Sequence, residues 1–398
     1  MKIEIFKKTF KYKICYWSAL TGLIIIILIK LLAGCANRSK LKTQDDNLLS
    51  SNQVVSVTNN VEFDDLQYDS NTYFQSAPTI IIPILCYHRI GENNNNKMNI
   101  PINQFRSHLS LIKELGMTPI TFDEWEACVL HATNTLPQKP VMITFDDGWR
   151  SQYQNALPIL NEFGYKATFY VYMSFLNSGN AMNWTQLREL IKQGHTIGSH
   201  SYEHSRLNKR LPNESNLGYR NRLQLEIKDS KFELEKRLGV NIKHFCYPYG
   251  YYNNEVAKYL SDAGYVSAVT VNVDVNSKDS DAMKLSRFAV EPSITLKQVR
   301  DFLTSFPIDN LKINASDGEV YTNNFSQLII QLDDELNKKI TETKMKFAWR
   351  WVACKHDKSE RKITFDIKKL EPGYHSVQLH LWDNCSNYYI KAWSFEKK

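Results

Sequence analysis

The stretch Pro140-Val-Met-Ile-Thr144-Phe-Asp146-Asp147-Gly148 decides the fold. Its apolar run predicts a buried strand, and Gly148 lets the chain turn sharply where that strand ends. Two carboxylates therefore stand at a strand end. Short apolar runs alternate with helical patterns around it, from residues 79–85 to residues 167–171. This alternation predicts a parallel α/β architecture.

A second stretch, His200-Ser-Tyr-Glu-His204, places two imidazoles four residues apart, a spacing that lets both bind one metal ion. One aspartate and two histidines form a set of three ligands that leaves a position open for water. An open position is typical of a catalytic metal site, whereas a structural zinc site is closed. The other aspartate is free to move protons. Together the two stretches predict metal-assisted hydrolysis.

The two motifs, T-F-D-D-G and H-S-x-x-H, resemble those of the polysaccharide deacetylases with NodB homology (carbohydrate esterase family 4), and the resemblance covers about residues 78 to 305. The third motif of that family corresponds to Phe245-Cys246-Tyr247-Pro248-Tyr249-Gly250. Cys246 stands where the family has an arginine that orients the catalytic aspartate. The usual partner of Asp146 is therefore missing from this motif.

The general acid of the family is a histidine in a late L-x-H motif, which the stretch Lys284-Leu-Ser-Arg287-Phe288 lacks. However, His88 ends the first predicted strand, Pro83-Ile-Leu-Cys-Tyr-His88. A histidine at this place is typical of the subgroup that acts on poly-N-acetylglucosamine exopolysaccharides. We therefore expect His88 to be the acid; the alternative is that His88 only caps a strand.

The resemblance implies a distorted, incomplete (β/α) barrel of the NodB type. It also implies that Asp147, His200 and His204 bind one divalent ion, with zinc expected first and cobalt, nickel or iron as alternatives. Asp146 is the expected general base, and the Tyr249 backbone N–H is the expected donor to the oxyanion. The expected reaction is hydrolysis of N-acetyl groups from an N-acetylglucosamine-containing polysaccharide, with release of acetate.

Two other functions stay open. One is a metal-dependent O-acetyl esterase that acts on xylan or another glycan through the same site. The other is a non-catalytic glycan-binding protein with a decayed site, favoured by Cys246 and by the missing late histidine. The intact Asp146, Asp147, His200 and His204 argue against decay.

The chain start predicts export. Five lysines fall among residues 1–13, and the apolar stretch Leu23-Ile-Ile-Ile-Ile-Leu-Ile29 follows. Leu32-Ala-Gly-Cys35 then matches a bacterial lipobox, so we expect residues 1–35 to be a signal and lipoprotein anchor segment with Cys35 lipidated. An uncleaved apolar anchor is the alternative, although Lys30 interrupts the apolar stretch. Either reading predicts an exported protein tethered to the membrane at the bacterial cell envelope.

Composition and periodicity divide the rest of the chain. Residues 36–77 are rich in Asn, Ser, Asp and Gln and predict a flexible linker. Residues 78–310 form the predicted deacetylase domain. Residues 311–398 predict a small antiparallel β-sandwich as an accessory domain, because apolar and polar side chains alternate between turn signals in residues 344–352, 362–367, 375–382 and 388–395. Its tryptophans are either core residues or a face that stacks on sugar; they are Trp349, Trp351, Trp382 and Trp393.

Charge and cysteine content add two expectations. The net charge of +7 comes partly from the N-terminal lysines and accompanies no clustered recognition motif, so we expect no nucleic-acid partner. An exported location permits disulfides, and Cys354 could pair with Cys385 because both fall in the small domain. Cys86 and Cys246 are expected to be buried thiols.

Overall fold

The computed structural model describes residues 80–91, 96–308, 311–367 and 370–398. These ranges fall within one compact unit, Phe74–Lys398. The predicted anchor segment with Cys35 and the predicted linker lie outside the described residues, so both stay predictions, as does the domain boundary at residues 310 and 311. Each helix within the described ranges is too short or too polar to cross a bilayer.

The first part of this unit alternates strands with helices. Its strands are β1 (Ile81–Ile82), β2 (Ile84–Tyr87), β3 (Arg89–Gly91), β4 (Asn99–Pro101), β5 (Thr118–Ile120), β6 (Pro140–Phe145), β7 (Thr168–Val171), β8 (Thr196–Ser199), β9 (His244–Cys246), β10 (Ser267–Val269), β11 (Asn276–Ser277) and β12 (Phe288–Ala289). Its helices are α1 (Ile102–Glu114), α2 (Phe122–Val129), α3 (Leu157–Phe163), α4 (Trp184–Lys192), α5 (Asn216–Leu223), α6 (Ser230–Leu238), α7 (Asn254–Asp262) and α8 (Leu296–Leu303).

Eight of these strands form a parallel sheet in the order β10-β9-β8-β7-β6-β2-β12, with β5 paired to β6. The sheet curves into an incomplete barrel. An isolated parallel bridge, Val269↔Leu285, connects the edge strand β10 with the segment just before the other edge strand, β12. Every residue of β6 is buried, which explains why the strand is a continuous apolar run. The predicted incomplete (β/α) barrel is confirmed.

Local signals set where the helices begin. Thr121 and Asn183 accept hydrogen bonds from the third backbone N–H of α2 and α4, and in each case the side chain at that third position bonds back to the cap. Such capping boxes satisfy N–H groups that have no partner within the helix. The apolar faces of the helices then pack on the sheet in one large core.

The second part of the unit is a β-sandwich. Its elements are β13 (Phe306–Pro307), β14 (Lys312–Ile313), β15 (Val320–Tyr321), β16 (Gln327–Gln331), α9 (Asp334–Lys339), β17 (Ile340–Phe347), β18 (Arg350–Val352), β19 (Lys355–Asp357), β20 (Lys362–Asp366), β21 (Gly373–Asp383) and β22 (Tyr388–Lys397). The larger sheet has the order β13-β22-β21-β17-β18 with β15 also on β22, and the smaller has the order β14-β16-β20-β19. All pairings are antiparallel except those of the short strands β13 and β15 with β22.

The two sheets share a core that contains Ile330 and Ile363 from the smaller sheet and Leu379 and Trp393 from the larger. Trp393 is therefore a core residue. The pairing considered for Cys354 and Cys385 is not formed, since both thiols are free. Cys354 lies between β18 and β19, whereas Cys385 lies in the turn between β21 and β22.

Polar contacts join the larger sheet of the sandwich to the barrel. Ser394 Oγ donates to Asn272 Oδ1 (2.8 Å), and Lys391 Nζ lies 3.0 Å from Asp274 Oδ2. Burial raises the pKa of Asp274 to about 6, although Lys391 acts in the opposite direction. Because Ser394, Asn272 and Asp274 are buried, the sandwich packs on the barrel as part of its structure.

Candidate active site

The predicted site residues meet at the carboxyl ends of the barrel strands. His88 directly follows β2, Asp146 and Asp147 follow β6, and His200 follows β8. Carboxyl ends of parallel strands lie at one edge of a sheet. All of the sequence-predicted side chains, including His204 and Tyr249, line one cleft of about 880 Å³.

Three donor atoms converge in this cleft. Asp147 Oδ1 lies 3.6 Å from His200 Nε2 and 3.6 Å from His204 Nε2, and the two imidazole nitrogens are 3.1 Å apart. Ligands about 2.0–2.1 Å from a tetrahedral zinc ion are about 3.3–3.4 Å from one another. The spacing and the nitrogen and oxygen chemistry of this set therefore fit one divalent ion.

Neighbouring groups fix the direction of two of these donors. His200 Nδ1 lies 2.8 Å from the Cys246 carbonyl oxygen, and a proton on Nδ1 leaves the lone pair of Nε2 facing the cleft. Trp149 Nε1 donates to Asp147 Oδ2 (2.8 Å), which leaves Oδ1 for the site. Burial lowers the pKa of His204 to about 4, so its ring is neutral, the form that binds a metal.

The backbone at the site is held in an uncommon conformation. Asp147, Ser201 and His204 have φ values of 75°, 73° and 59°, in the left-handed region. Such residues persist only where their surroundings hold them. The buried Glu226 does so for the histidine loop, because its carboxylate accepts from the backbone N–H groups of Tyr202 (3.0 Å) and Glu203 (2.9 Å).

Asp146 is buried and paired with an arginine that the sequence analysis did not assign. Arg287 Nη1 and Nη2 each lie 2.7 Å from a different oxygen of Asp146, in a bidentate pair. Arg287 is fully buried, and it also donates to Thr144 Oγ1 (3.1 Å) and to the Thr270 carbonyl (2.9 Å). This guanidinium holds the pKa of the Asp146 carboxyl well below its usual range, against the effect of burial.

The position of Cys246 explains how the family's arginine is replaced. Cys246 Sγ lies 3.4 Å from Asp146 Oδ2 and 3.1 Å from Arg287 Nη2, so the thiol occupies space beside the same ion pair. The guanidinium thus reaches Asp146 from the residue before β12 instead of from the third motif. One signal for Arg287 is present in the sequence, because this arginine lies in the stretch that corresponds to the family's late histidine motif.

Other groups of donor atoms are poorer metal sites. Asp146 also lies near Cys86 with His88 and near Cys246 with His200. However, both oxygens of Asp146 are held by Arg287, and burial raises the pKa of both thiols, which keeps them protonated. Since a thiol binds metal as the thiolate, the set with Asp147 is the better candidate.

His88 faces the same carboxylate. One of its ring nitrogens lies within 4.8 Å of an Asp146 oxygen, and its buried Nδ1 has no hydrogen-bond partner among the described residues. Burial lowers the pKa of His88, although Asp146 and Asp147 act in the opposite direction. Burial thus disfavours the charged form of the ring.

Tyr249 lies at the other side of the metal ligands. Its ring centroid is 4.5 Å from that of His204, and its side chain is 55% exposed. The Tyr249 backbone is left-handed (φ 59°), inside the short helical turn Pro248–Gly250. The structure therefore places its backbone in the cleft wall beside the candidate metal site.

Comparisons with known proteins agree with this geometry. The family model described as polysaccharide deacetylase matches residues 133–268. YxkH of Bacillus subtilis (strain 168), whose name refers to the same family, is 28% identical over 57% of this chain and 77% of its own length. A poly-beta-1,6-N-acetyl-D-glucosamine N-deacetylase of Staphylococcus epidermidis is 25% identical over 52% of this chain and 78% of its own.

One solved structure has a similar fold. A Streptococcus pyogenes deacetylase, PplD, in complex with acetate has a TM-score of 0.51 and is 25% identical. The match covers 99% of that chain but 56% of this one. A large part of this chain therefore has no counterpart in that structure.

Proposed function

We propose that this chain, a polysaccharide deacetylase with a NodB-type domain, removes N-acetyl groups from an N-acetylglucosamine-containing polysaccharide. The proposed reaction takes place at the cell envelope with the help of one divalent ion. The observation that carries the proposal is the convergence of Asp147, His200 and His204 beside a carboxylate, Asp146, that Arg287 holds in place. The names of two relatives support the choice of an N-acetylated polymer.

Asp147, His200 and His204 are the proposed metal ligands. A bound divalent ion would polarise the acetamide carbonyl and make its bound water more acidic. Zinc fits the nitrogen and oxygen donors, and cobalt, nickel or iron would use the same atoms.

Asp146 is the proposed general base. Its carboxylate is held at both oxygens by Arg287 and lies in the cleft beside His200. A base fixed in this way is aimed at a water molecule before the substrate arrives, which lowers the cost of reaching the reactive geometry. Asp146 takes one proton from that water as the oxygen attacks the acetamide carbon.

His88 is the proposed acid. A His88 ring nitrogen and an Asp146 oxygen lie within 4.8 Å of each other, so the proton that His88 delivers is the one that Asp146 takes from the water and passes on. The proton moves to the amide nitrogen as the C–N bond breaks, and the products are acetate and a free glucosamine unit. The Tyr249 backbone N–H is the proposed donor to the carbonyl oxygen while that oxygen carries negative charge.

The cell-envelope location rests on residues 1–35, whose basic start, apolar stretch and lipobox favour a lipidated Cys35. Mass spectrometry of the N-terminus from membranes tests this part. A mature chain that begins with an acylated Cys35 supports it, and an N-terminus that lies before Cys35 supports the uncleaved anchor instead.

Acetate release tests the reaction. The wild type should release acetate from N-acetylglucosamine oligomers, lose activity with a chelator and regain it with zinc. His204→Ala should lower both the bound metal and the rate, whereas His131→Ala, a partly exposed histidine outside the cleft, should change neither. Acetate release from O-acetylated xylan alone would favour the esterase, and normal metal content in His204→Ala would contradict the ligand assignment.

A further inference from the structure

One wall of the active-site cleft comes from the sandwich. Residues 345, 377 and 379 point into the core of the sandwich. Since side chains alternate along a strand, their neighbours Lys344, Lys346, Gln378 and His380 point to the opposite face. The same cleft of about 880 Å³ is lined by these residues and by the candidate metal ligands.

Two exposed tryptophans stand in this wall. Trp349 and Trp351 are 55% and 57% exposed, and both line the cleft. Trp349 makes no ring or cation contact with any other residue that the structure describes. Large aromatic side chains usually bury much of their surface, so two tryptophans that are more than half exposed within a cleft indicate a surface that a ligand covers.

The backbone under Trp349 is strained. Ala348 and Trp349 form the two-residue turn between β17 and β18, with φ values of 48° and 67°. Turns of this kind favour Asn and Gly, because both positions have positive φ. A tryptophan at such a position destabilises the turn. The location of Trp349 in the cleft explains why a tryptophan is present there.

A polar group in the same wall lacks a partner. His380 is only 7% exposed, and its Nε2 has no hydrogen-bond partner among the described residues. Its other nitrogen, Nδ1, lies 2.6 Å from the Tyr388 hydroxyl. A buried nitrogen without a partner is costly, and the His380 ring lies in the cleft wall with its centroid 5.0 Å from that of Trp351.

Two lysines also stand in this wall. Lys346 Nζ lies 4.6 Å from the Trp351 ring centroid, and Lys344 Nζ pairs with Glu342 at 2.7 Å. Glu291 and Asp301 line the same cleft. The charges of the cleft are therefore mixed and do not select between neutral and cationic sugars.

We propose that Trp349 and Trp351 stack on a pyranose ring of the polymer next to the unit that is being deacetylated. The C–H groups on one face of a pyranose ring match the negative face of an indole. The occupant is argued from continuity, because the wall and the candidate metal site share one cleft. This inference rests on the proposed function, whose polymer it makes more specific.

The test uses the full chain and two N-acetylglucosamine hexamers, one β-1,6-linked and one β-1,4-linked. In Trp349→Ala/Trp351→Ala, we expect KM for the preferred hexamer to rise about ten-fold with little change in kcat. The rate on a small activated acetate ester should not change, because that substrate does not reach the wall. Replacement of both tryptophans by Phe should restore most of the affinity, and Phe232→Ala, an exposed aromatic on α6, should match the wild type.

A binding measurement separates this inference from the proposed reaction. Titration with each hexamer should change the tryptophan fluorescence of the wild type and should do so far less in the double Ala variant. Equal affinity of the variant and the wild type for both hexamers would overturn the stacking wall. Binding through the two tryptophans without any acetate release would instead contradict the proposed reaction and leave the wall in place.

Discussion

At the scale of the residue, Arg287 is the feature that most changes the interpretation of the active site. Its guanidinium binds both oxygens of Asp146 at 2.7 Å in a fully buried position. The missing arginine of the third motif had favoured a decayed site. Because Arg287 orients Asp146, the cysteine at position 246 no longer indicates a decayed site.

Substitution of Arg287 should damage both stability and turnover. Arg287→Ala leaves the buried Asp146 charge unpaired, which should cost about 3–5 kcal/mol of unfolding free energy. Arg287→Lys keeps the charge but loses the bidentate geometry, so kcat should fall about 100-fold with a smaller loss of stability. Thermal unfolding and acetate release measure the two effects.

The matched control for Arg287 is Arg300, which pairs with Glu114 at 2.7 Å on the surface. Surface pairs contribute little, so Arg300→Ala should stay within about 1 kcal/mol of the wild type and keep its activity. A wild-type kcat in Arg287→Lys would show that the arginine does not orient the base.

The role of His88 can be tested by the choice of leaving group. His88→Ala should slow hydrolysis of an N-acetyl sugar strongly, because the amine needs a proton to leave. An activated acetate ester needs none, so the variant should keep more of its activity on the ester. Rates on both substrates and the metal content are the measurements. An equal loss on both substrates means that His88 is not the acid.

Sequence alone predicted the residues that the chain's own motifs place together. Asp146, Asp147, His200 and His204 follow buried strands, and parallel strands bring their ends to one edge. Arg287 was not predicted because its partner is 141 positions away in the chain. An arginine before a short strand carries no local sign of the carboxylate that it meets.

At the scale of the element, the β17–β18 hairpin is the clearest departure from the sequence prediction. Residues 344–352 were expected as one alternating segment, but the chain turns at Ala348 and Trp349. The turn was missed because neither residue is a usual choice for positive φ. The other three predicted segments of the sandwich match β20, β21 and β22.

This turn makes a prediction about stability. Ala348 has a φ of 48° and an exposed side chain, so Ala348→Gly should relieve strain and stabilise the fold by about 0.5–1 kcal/mol. Activity should not change, since Ala348 does not line the cleft. As a control, Ala392→Gly in the interior of β22 should destabilise, because glycine weakens a strand. A lower melting temperature in Ala348→Gly would contradict strain in the turn.

At the scale of the whole molecule, the sandwich and the barrel are joined through buried polar groups. Burial raises the pKa values of Asp274, Asp317 and Glu396, all of which contact residues from the other part. The sequence predicted both parts but not their union, because pairs such as Asp274 with Lys391 have no local pattern. The sequence pattern likewise does not show which of the four tryptophans are buried. In the structure, Trp393 is in the core, and the other three line the cleft.

The raised pKa of Asp274 predicts how stability depends on pH. The folded pKa is about 6 against a usual 3.8, so the native state holds a proton that the unfolded state has lost between these values. The stabilisation by Asp274 is therefore fully present below about pH 4 and is lost as the pH rises through 6. The full effect is on the order of 3 kcal/mol.

The variant Asp274→Asn isolates this effect, because its amide does not titrate. Between pH 4 and pH 7.5, the unfolding free energy of the wild type should fall relative to that of the variant. The exposed control Asp262→Asn, whose aspartate pairs with Lys258 on the surface, should show almost no such shift. A flat difference for Asp274→Asn would mean that the carboxyl is solvated.

The exchange of partners around Asp146 has a consequence for how such sequences diverge. Cys246 Sγ already lies 3.1 Å from Arg287 Nη2, so a longer side chain at position 246 would meet the Arg287 guanidinium. An arginine at position 246 and an arginine at position 287 should therefore exclude each other in related chains. A lineage that changes from one arrangement to the other must pass through a sequence with either no arginine or two arginines at these positions, and both of these sequences are unfavourable. The two positions should therefore change together, and a search that requires arginine in the third motif will discard active relatives that keep it ahead of the last barrel strand.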